Sequence, residues 1–123
     1  MRGFDTQHTR NILDLSCVPL IQRLTHLPII VDPSHATGRA DLVPALYRAS
    51  IAAGASGLML EVHPDPERAL SDGRQALTPE QLQEVVFQTH QLAGMMSTGR
   101  DTVVPVGIPD MRHMTDTALV GSA

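Results

Sequence analysis

Two short apolar runs separated by a helical segment constrain the fold of this 123-residue chain more than any other feature. The first, at residues 27–31, is continuous rather than alternating, and the second, at residues 57–62, follows a stretch with helical period at residues 41–54. Runs of this length and continuity are typical of strands in the interior of a parallel sheet. A strand, a helix and a second strand in this order form a right-handed βαβ unit. The sequence therefore predicts an α/β fold.

Further helices are predicted on both sides of this unit. Between residues 14 and 25 apolar side chains recur at helical spacing, and Pro19 falls in the first turn, where proline is tolerated. A capping box, Thr78-Pro79-Glu80-Gln81, has proline at the first helical position and begins a helix that continues to about residue 95. Residues 73–77, just before it, are predicted to form a turn.

The chain divides into two predicted parts. Residues 1–95 carry the helix and strand patterns, whereas residues 96–123 contain Gly, Pro and scattered polar residues without a clear period. One apolar patch, Val-Val-Pro-Val at residues 103–106, interrupts this second part. We predict an irregular tail at residues 96–123, with at most a short edge strand at the patch.

Composition excludes several classes of partner. The net charge of −4 is spread over interspersed acids and bases, which gives no reason to expect nucleic acid or an anionic membrane as a partner. No apolar run approaches the roughly 20 residues that span a bilayer, and the first residues do not resemble a signal peptide. The single cysteine, Cys17, excludes an internal disulfide and a Cys-rich zinc site. We expect a soluble cytoplasmic protein.

Three ionisable residues follow the predicted strands: His35, Glu61 and Asp72. His35 and Glu61 are one strand–helix–strand repeat apart, so they would end neighbouring strands, and the loop that carries Asp72 can fold back over those ends. Parallel α/β sheets keep their sites at the carboxyl ends of the strands. One imidazole and two carboxylates suit a divalent metal such as manganese, iron, cobalt or zinc. A hydrogen-bonded structural role for His35 is an equally good interpretation of these residues alone.

A hydrolytic triad is a weaker interpretation of the first strand end. Asp32, Ser34 and His35 have the required residue types. However, Ser34 and His35 are adjacent, and neighbouring side chains on an extended segment point away from each other. The spacing therefore disfavours nucleophilic catalysis.

Other polar residues near the strand ends have two interpretations each. His63 could be a further ligand or could shape the turn around Pro64, which we favour. Arg39 is well placed to meet an anionic substrate at a helix start, or it is simply solvated. Arg2 and Arg10, in the polar segment before the first helix, have the same two interpretations.

Two strand-end motifs are highly specific: Val-Asp-Pro-Ser-His at residues 31–35 and Glu-Val-His-Pro-Asp-Pro at residues 61–66. With Leu-Ser-Asp-Gly at residues 70–73, they resemble the C-terminal part of the 3-deoxy-7-phosphoheptulonate (DAHP) synthases in their short bacterial, type I beta, form. The resemblance extends over roughly residues 2–94. Further matching stretches are Arg2-Gly3, Thr9-Arg10-Asn11, Leu13-Asp14-Leu15-Ser16 and Leu27-Pro28-Ile29-Ile30.

The resemblance implies a (β/α)8 TIM barrel, of which this chain carries strands 7 and 8 with helices 6 to 8. It implies an aldol-type condensation of phosphoenolpyruvate with erythrose 4-phosphate, the first step of the shikimate pathway, at a divalent metal ion. His35, Glu61 and Asp72 match three metal ligands of the family, and His35 with Asp32 would be catalytic. Arg2 matches an arginine that binds the phosphate of phosphoenolpyruvate.

The remaining substrate contacts implied by the resemblance are at the first strand end. Asp32 and Ser34 would line the sugar-phosphate side, and Arg39 is a further candidate for substrate binding. The related 3-deoxy-8-phosphooctulonate synthases share the motifs at residues 61–66 and 70–73 but differ at the first strand end. Residues 32–35 therefore favour the heptulosonate enzyme, and the octulosonate enzyme is the alternative.

The chain also departs from the family. A complete barrel needs about 250 residues and eight strands, and the family's fourth metal ligand is a cysteine near the first strand, which Cys17 does not replace. The family's phosphoenolpyruvate-binding lysines have no counterpart, since this chain contains no lysine. Two hypotheses follow: a synthase segment that needs the N-terminal barrel half or self-association, and an inactive truncated fragment or pseudoenzyme.

Overall fold

The computed structural model describes residues 7–96. Two strands and four α-helices follow one another in the order expected for a βαβ unit with flanking helices. Short 3-10 turns connect several of them, at Ala40–Leu42, Pro66–Arg68 and Gly73–Gln75. The elements are α1 (Cys17–Leu24), β1 (Ile30–Val31), α2 (Pro33–Thr37), α3 (Val43–Ala52), β2 (Gly57–Leu58) and α4 (Pro79–Met96).

The predicted βαβ unit is confirmed. β1 and β2 pair in parallel, with Ile30 opposite Gly57 and Val31 opposite Leu58, and α3 forms the crossover between them. The predicted parallel arrangement of the sheet is therefore correct.

The predicted strands at residues 27–31 and 57–62 were too long. Just before β1, two backbone N–H groups donate to side-chain hydroxyls and not to a neighbouring strand. The N–H of Leu27 donates to Thr25 Oγ1, and that of Ile29 donates to Ser56 Oγ. After β2 the backbone N–H of Glu61 likewise donates to a side chain, Ser34 Oγ, at 3.1 Å. Each strand is thus reduced to two residues.

A third parallel contact extends the sheet beyond β2. Val62 pairs with Leu77 in an isolated bridge. The N–H of Leu77 donates to the carbonyl oxygen of Glu61 at 2.9 Å, and the N–H of His63 donates to the carbonyl oxygen of Leu77 at 2.9 Å. The prediction of a turn at residues 73–77 was therefore wrong at its last residue, which lies in extended backbone.

Helices α1 and α3 are shorter than predicted. α1 begins at Cys17 and not at residue 14, because the carboxylate of Asp14 accepts hydrogen bonds from the N–H and hydroxyl of Ser16 and holds a turn there. Pro19 lies in the first turn of α1, as predicted, and Pro44 lies in the first turn of α3. Gly54, with φ of 93°, follows the end of α3.

The core lies between α3 and α4. It consists of the fully or almost fully buried side chains Val43, Tyr47, Leu77 and Val85, with Leu58 and other partly buried residues packed against them. The hydroxyl of Tyr47 donates to Oε1 of Gln88 across the two helices. Leu77 belongs to this core and also bridges to Val62, so it joins the sheet to the core.

In the stretch from residue 7 to residue 96, no helix combines the length and the apolar character needed to cross a membrane. The cytoplasmic location stays a prediction. The predicted tail at residues 96–123 lies outside the described residues except for Met96, the last residue of α4.

The capping box at the start of α4 gives a first prediction. Thr78 N–H donates to Oε1 of Gln81 at 2.8 Å, and Gln81 N–H donates to Oγ1 of Thr78 at 3.3 Å, which confirms the predicted reciprocal cap. Since Thr78→Ala leaves a helix-end donor without its acceptor, we expect the free energy of unfolding to fall by about 1 kcal/mol. Urea denaturation followed by circular dichroism measures this. Gln83→Ala, at an exposed position of the same helix, should change it by less than about 0.5 kcal/mol, and equal losses would contradict the cap.

Candidate functional site

Helix α2 positions the first functional group. The polar stretch after β1 holds a short helix that was not predicted: Asp32 is the N-cap, Pro33 occupies the first helical position, and Gly38 ends the helix with φ of 66°. This is the usual order of an Asp-Pro start and a left-handed glycine end. The helix was missed because five residues are too few to show a helical period.

Asp32 fixes the imidazole of His35 with both of its carboxylate oxygens. Oδ1 accepts a hydrogen bond from the backbone N–H of His35 at 3.0 Å, and Oδ2 lies 2.8 Å from Nδ1 of the ring. Because an ionised carboxylate can only accept, the neutral ring carries its proton on Nδ1 and its lone pair on Nε2. The structure thus brings together the two residues that were predicted to be catalytic.

Glu61 faces the free nitrogen of this imidazole. Its Oε2 lies 3.7 Å from Nε2 of His35, which is longer than a hydrogen bond. The Glu61 backbone is held on both sides, by Ser34 Oγ at its N–H and by Leu77 N–H at its carbonyl oxygen. Both facing side chains are partly exposed, at 43% for His35 and 36% for Glu61. A group from solvent can therefore reach the space between them.

His35 and Glu61 fit two ligands of one divalent ion. Donor atoms that share an ion at bonds of about 2.1 Å lie about 3.0–3.6 Å apart, close to the 3.7 Å seen here. A carboxylate on the second nitrogen of a ligating imidazole, as supplied by Asp32, is the usual support for such a ligand. Within residues 7–96, however, no group of three or more His, Cys, Asp or Glu side chains is arranged to hold an ion.

Asp72, the third predicted ligand, has a different partner. Its Oδ1 lies 3.3 Å from Nη1 of Arg10, and the same nitrogen donates to Oε1 of Gln75 at 3.4 Å. Asp72 adopts a left-handed backbone with φ of 56°, and a Cβ atom at Gly73 would lie 2.2 Å from the carbonyl oxygen of Pro66. The turn therefore requires glycine after Asp72, and it directs the carboxylate to an arginine.

Arg10 is the residue that sequence reasoning left open and that the structure brings to the site. Its N–H donates to the carbonyl oxygen of Thr37 at 2.9 Å, and the N–H of Asn11 donates to that of Ala36 at 2.7 Å. The segment therefore runs along the end of α2. The sequence signals for it were its place in the polar segment before the first helix and the Thr9-Arg10-Asn11 stretch within the family resemblance.

Arginines surround a cavity of about 450 Å³ next to the Asp72 turn. Arg10, Arg39 and Arg74 line it, together with residues 37–38 and the turn itself. Arg39 donates from Nε and Nη2 to the two carboxylate oxygens of Asp41, at 2.9 and 2.6 Å. This side-chain hydrogen bond holds the pKa of the Asp41 carboxyl below its ordinary value. Arg39 is thus paired with a neighbour and also faces the cavity.

Three predicted residues remain: Ser34, His63 and Arg2. Ser34 is fully buried, and its hydroxyl accepts from the Glu61 N–H. Nδ1 of His63 accepts from the N–H of Asp65 at 3.0 Å, which is the turn-shaping role that was favoured. Arg2 lies outside the described residues.

Comparisons with known proteins agree on one family. The model of the DAHP synthetase I family matches residues 1–98. Over 94 residues the chain is 58% identical to phospho-2-dehydro-3-deoxyheptonate aldolase of Thermotoga maritima, covering 75% of this chain and 28% of that protein. It is 45% identical over 83 residues to 2-dehydro-3-deoxyphosphooctonate aldolase of Methylococcus capsulatus, covering 58% of this chain and 29% of that protein.

A solved structure shows the same similarity. A truncated form of 3-deoxy-D-arabino-heptulosonate 7-phosphate synthase from Thermotoga maritima superposes with a TM-score of 0.74 at 53% identity, over 78% of this chain and 36% of that chain. The chain thus spans about a third or less of the length of these relatives. The family match nevertheless covers most of this chain, and the resemblance of its motifs to DAHP synthases is confirmed. The chain belongs to the DAHP synthetase I family.

Proposed function

We propose that this chain forms strands 7 and 8 with helices 6 to 8 of a DAHP synthase-type (β/α)8 barrel. Its site would serve the condensation of phosphoenolpyruvate with erythrose 4-phosphate, with release of phosphate. The observation that carries the proposal is the Asp32–His35–Glu61 arrangement after two parallel strands, in a chain 58% identical to the Thermotoga protein. TIM barrels bind and transform their substrates at that end of the strands.

His35 and Glu61 would hold a divalent metal ion, which is manganese, iron, cobalt or zinc by the chemistry of the ligands. When bound, the ion supplies Lewis-acid polarisation of the acceptor aldehyde. Asp32 keeps the imidazole proton on Nδ1 and so leaves Nε2 free for the ion. Ser34 would position Glu61, since its buried hydroxyl accepts a hydrogen bond from the Glu61 backbone N–H. Asp72, whose carboxylate pairs with Arg10 in this structure, would release Arg10 and bind the ion as its third ligand.

The arginine-lined cavity would receive the phosphorylated substrates. Arg10, Arg39 and Arg74 bring three guanidinium groups to one cavity, and guanidinium binds phosphate through two parallel hydrogen bonds. Arg2 would contact the phosphate of phosphoenolpyruvate, as the family resemblance implies. These cations hold two anionic substrates together against their mutual repulsion.

The site would be complete only with further barrel strands. The described sheet has two strands and one added bridge, and such small sheets need neighbours for independent stability. We infer that the N-terminal barrel half, or self-association, supplies them. An inactive fragment is the competing hypothesis.

A chimaera tests the proposal. Residues 2–94 of this chain would replace the matched segment of the Thermotoga maritima protein, and phosphate release from phosphoenolpyruvate would be measured with Mn²⁺. We expect activity with erythrose 4-phosphate, and a loss of about 100-fold or more in the His35→Ala chimaera because a metal ligand is removed. The His63→Ala chimaera, which lacks only a turn-shaping imidazole, is the matched control.

Two results would contradict this function. A folded chimaera without activity would favour the inactive-fragment hypothesis. Activity with arabinose 5-phosphate in preference to erythrose 4-phosphate would favour the octulosonate alternative, which the 45% identity to the Methylococcus capsulatus protein supports. The isolated chain, assayed in parallel, shows whether self-association is enough.

A further inference from the structure

One ion pair connects the candidate metal ligands to the arginine-lined cavity. Nη1 of Arg10 lies 3.3 Å from Oδ1 of Asp72, and both residues line the cavity. Under the proposed function Asp72 is a ligand of the metal ion, and Arg10 is a contact of a substrate phosphate. In this structure the two residues therefore pair with each other and not with their proposed ligands.

The pair between Arg10 and Asp72 is weakly held. Arg10 uses one nitrogen, Nη1, both for Asp72 at 3.3 Å and for Oε1 of Gln75 at 3.4 Å, whereas such hydrogen bonds are usually about 2.7–3.2 Å long. The side chains are 58% exposed for Arg10 and 33% for Asp72, and ion pairs open to water contribute little stability. Arg39, in the same cavity, instead donates from two nitrogens to both carboxylate oxygens of Asp41. Arg10 is thus a guanidinium that a competing anion can take.

The backbone is fixed on both sides of the pair. The N–H of Arg10 donates to the carbonyl oxygen of Thr37, the last residue of α2. Asp72 precedes the 3-10 turn Gly73–Gln75, which packs against α2, and its carbonyl oxygen accepts from the N–H of the last residue of that turn at 3.0 Å. His35 lies on the same short helix. An exchange of partners therefore needs rotation of two side chains and no change of the backbone.

We propose that an anion bound to Arg10 releases Asp72 to the metal ion, so that phosphate and metal bind cooperatively. This inference rests on the proposed function. A phosphate group binds guanidinium through two parallel hydrogen bonds, whereas Asp72 contacts Arg10 through one oxygen. Phosphate takes Arg10 from Asp72, and the ion takes Asp72 from Arg10. Each ligand therefore tightens the binding of the other by the same factor.

Electron paramagnetic resonance of free Mn²⁺, with the full chain, tests the competition for Asp72. Without phosphate, the Arg10→Ala chain should bind Mn²⁺ about fivefold more tightly than the wild type, the upper range for a partly exposed ion pair. Arg39→Ala is the matched control, because it removes a guanidinium of the same cavity that pairs with Asp41. It should change the affinity by less than about twofold. An Mn²⁺ affinity of the Arg10→Ala chain that equals or falls below that of the wild type would overturn the proposal.

Addition of inorganic phosphate tests the coupling. It should tighten Mn²⁺ binding to the wild type about fivefold and leave that of the Arg10→Ala chain unchanged, with Mn²⁺–phosphate complexes in solution subtracted by a protein-free titration. Mn²⁺ should in turn tighten phosphate binding by the same factor, which calorimetry measures. Asp72→Asn introduces a side chain that tolerates the left-handed backbone. This variant should bind phosphate more tightly than the wild type without Mn²⁺, and it should lose the effect of the ion.

The outcomes separate this inference from the proposed function. Mn²⁺ binding that survives His35→Ala would overturn both. Binding that is lost in the His35→Ala chain but is unaffected by Arg10→Ala and by phosphate would overturn only the coupling. Coupling that persists in the Arg10→Ala chain would overturn it as well, because direct attraction between the cation and the anion would then account for the effect.

Discussion

The His35→Ala chain is expected to lose Mn²⁺ binding, and the Asp32→Asn chain is expected to bind Mn²⁺ about 10–100-fold more weakly than the wild type. The first change removes a ligand, Nε2 of the imidazole. The second keeps a side chain that caps α2 equally well, since asparagine and aspartate are equivalent N-caps. It removes only the negative charge that fixes the Nδ1 proton of His35. The weaker binding would thus report on the orientation of the imidazole and not on the helix.

Electron paramagnetic resonance of free Mn²⁺ during titration measures these affinities. The matched control is His63→Ala, because His63 is a histidine that follows β2, as His35 follows β1, and its Nδ1 accepts from the Asp65 N–H. Circular dichroism establishes that each variant is folded. An affinity unchanged by His35→Ala, or one weakened equally by His63→Ala, would contradict the assignment of the metal to His35 and Glu61.

The Leu77→Ala chain is expected to lose about 2–5 kcal/mol of its free energy of unfolding. Leu77 is 1% exposed and packs in the core with Val43, Tyr47 and Val85. A domain is stable by only about 5–15 kcal/mol in total, so this loss is a large share of the whole. Because the N–H of Leu77 also holds the carbonyl oxygen of Glu61, we expect Mn²⁺ affinity to fall in the same variant.

The same substitution seven positions earlier in the chain is the control. Leu70 is fully exposed, and Leu70→Ala should change the free energy of unfolding by less than about 0.5 kcal/mol. Urea denaturation at one temperature compares the two variants. Similar losses at both positions would mean that the core around Leu77 and Tyr47 does not hold the fold together.

The parts of the fold that were predicted correctly depend on local sequence. The parallel βαβ order follows from two continuous apolar runs and the helical period between them, and the cap of α4 follows from Thr78 and Gln81 alone. The contact between His35 and Glu61 follows from the same order, because both end neighbouring strands. Each of these features is encoded within a few residues or one repeat.

The parts that were not predicted depend on contacts between distant residues. Arg10 and Asp72 are far apart in the sequence, and nothing in either neighbourhood indicates that they form an ion pair. Leu77 lies in a stretch of turn residues, and its bridge to Val62 is decided by the core that it enters. The strands were shortened by hydroxyl groups, of Thr25, Ser34 and Ser56, that compete for backbone partners.

Asp32 performs two tasks with one carboxylate, since one oxygen starts α2 and the other orients His35. A helix of five residues is too short to persist by its own hydrogen bonds. The helical conformation of α2 and the orientation of the His35 imidazole that suits an ion are therefore gained and lost together. A ligand that binds only the ordered form stabilises that form by mass action. If His35 and Glu61 hold an ion as proposed, its removal would fray this single helical turn first, while the core around Tyr47 stays intact.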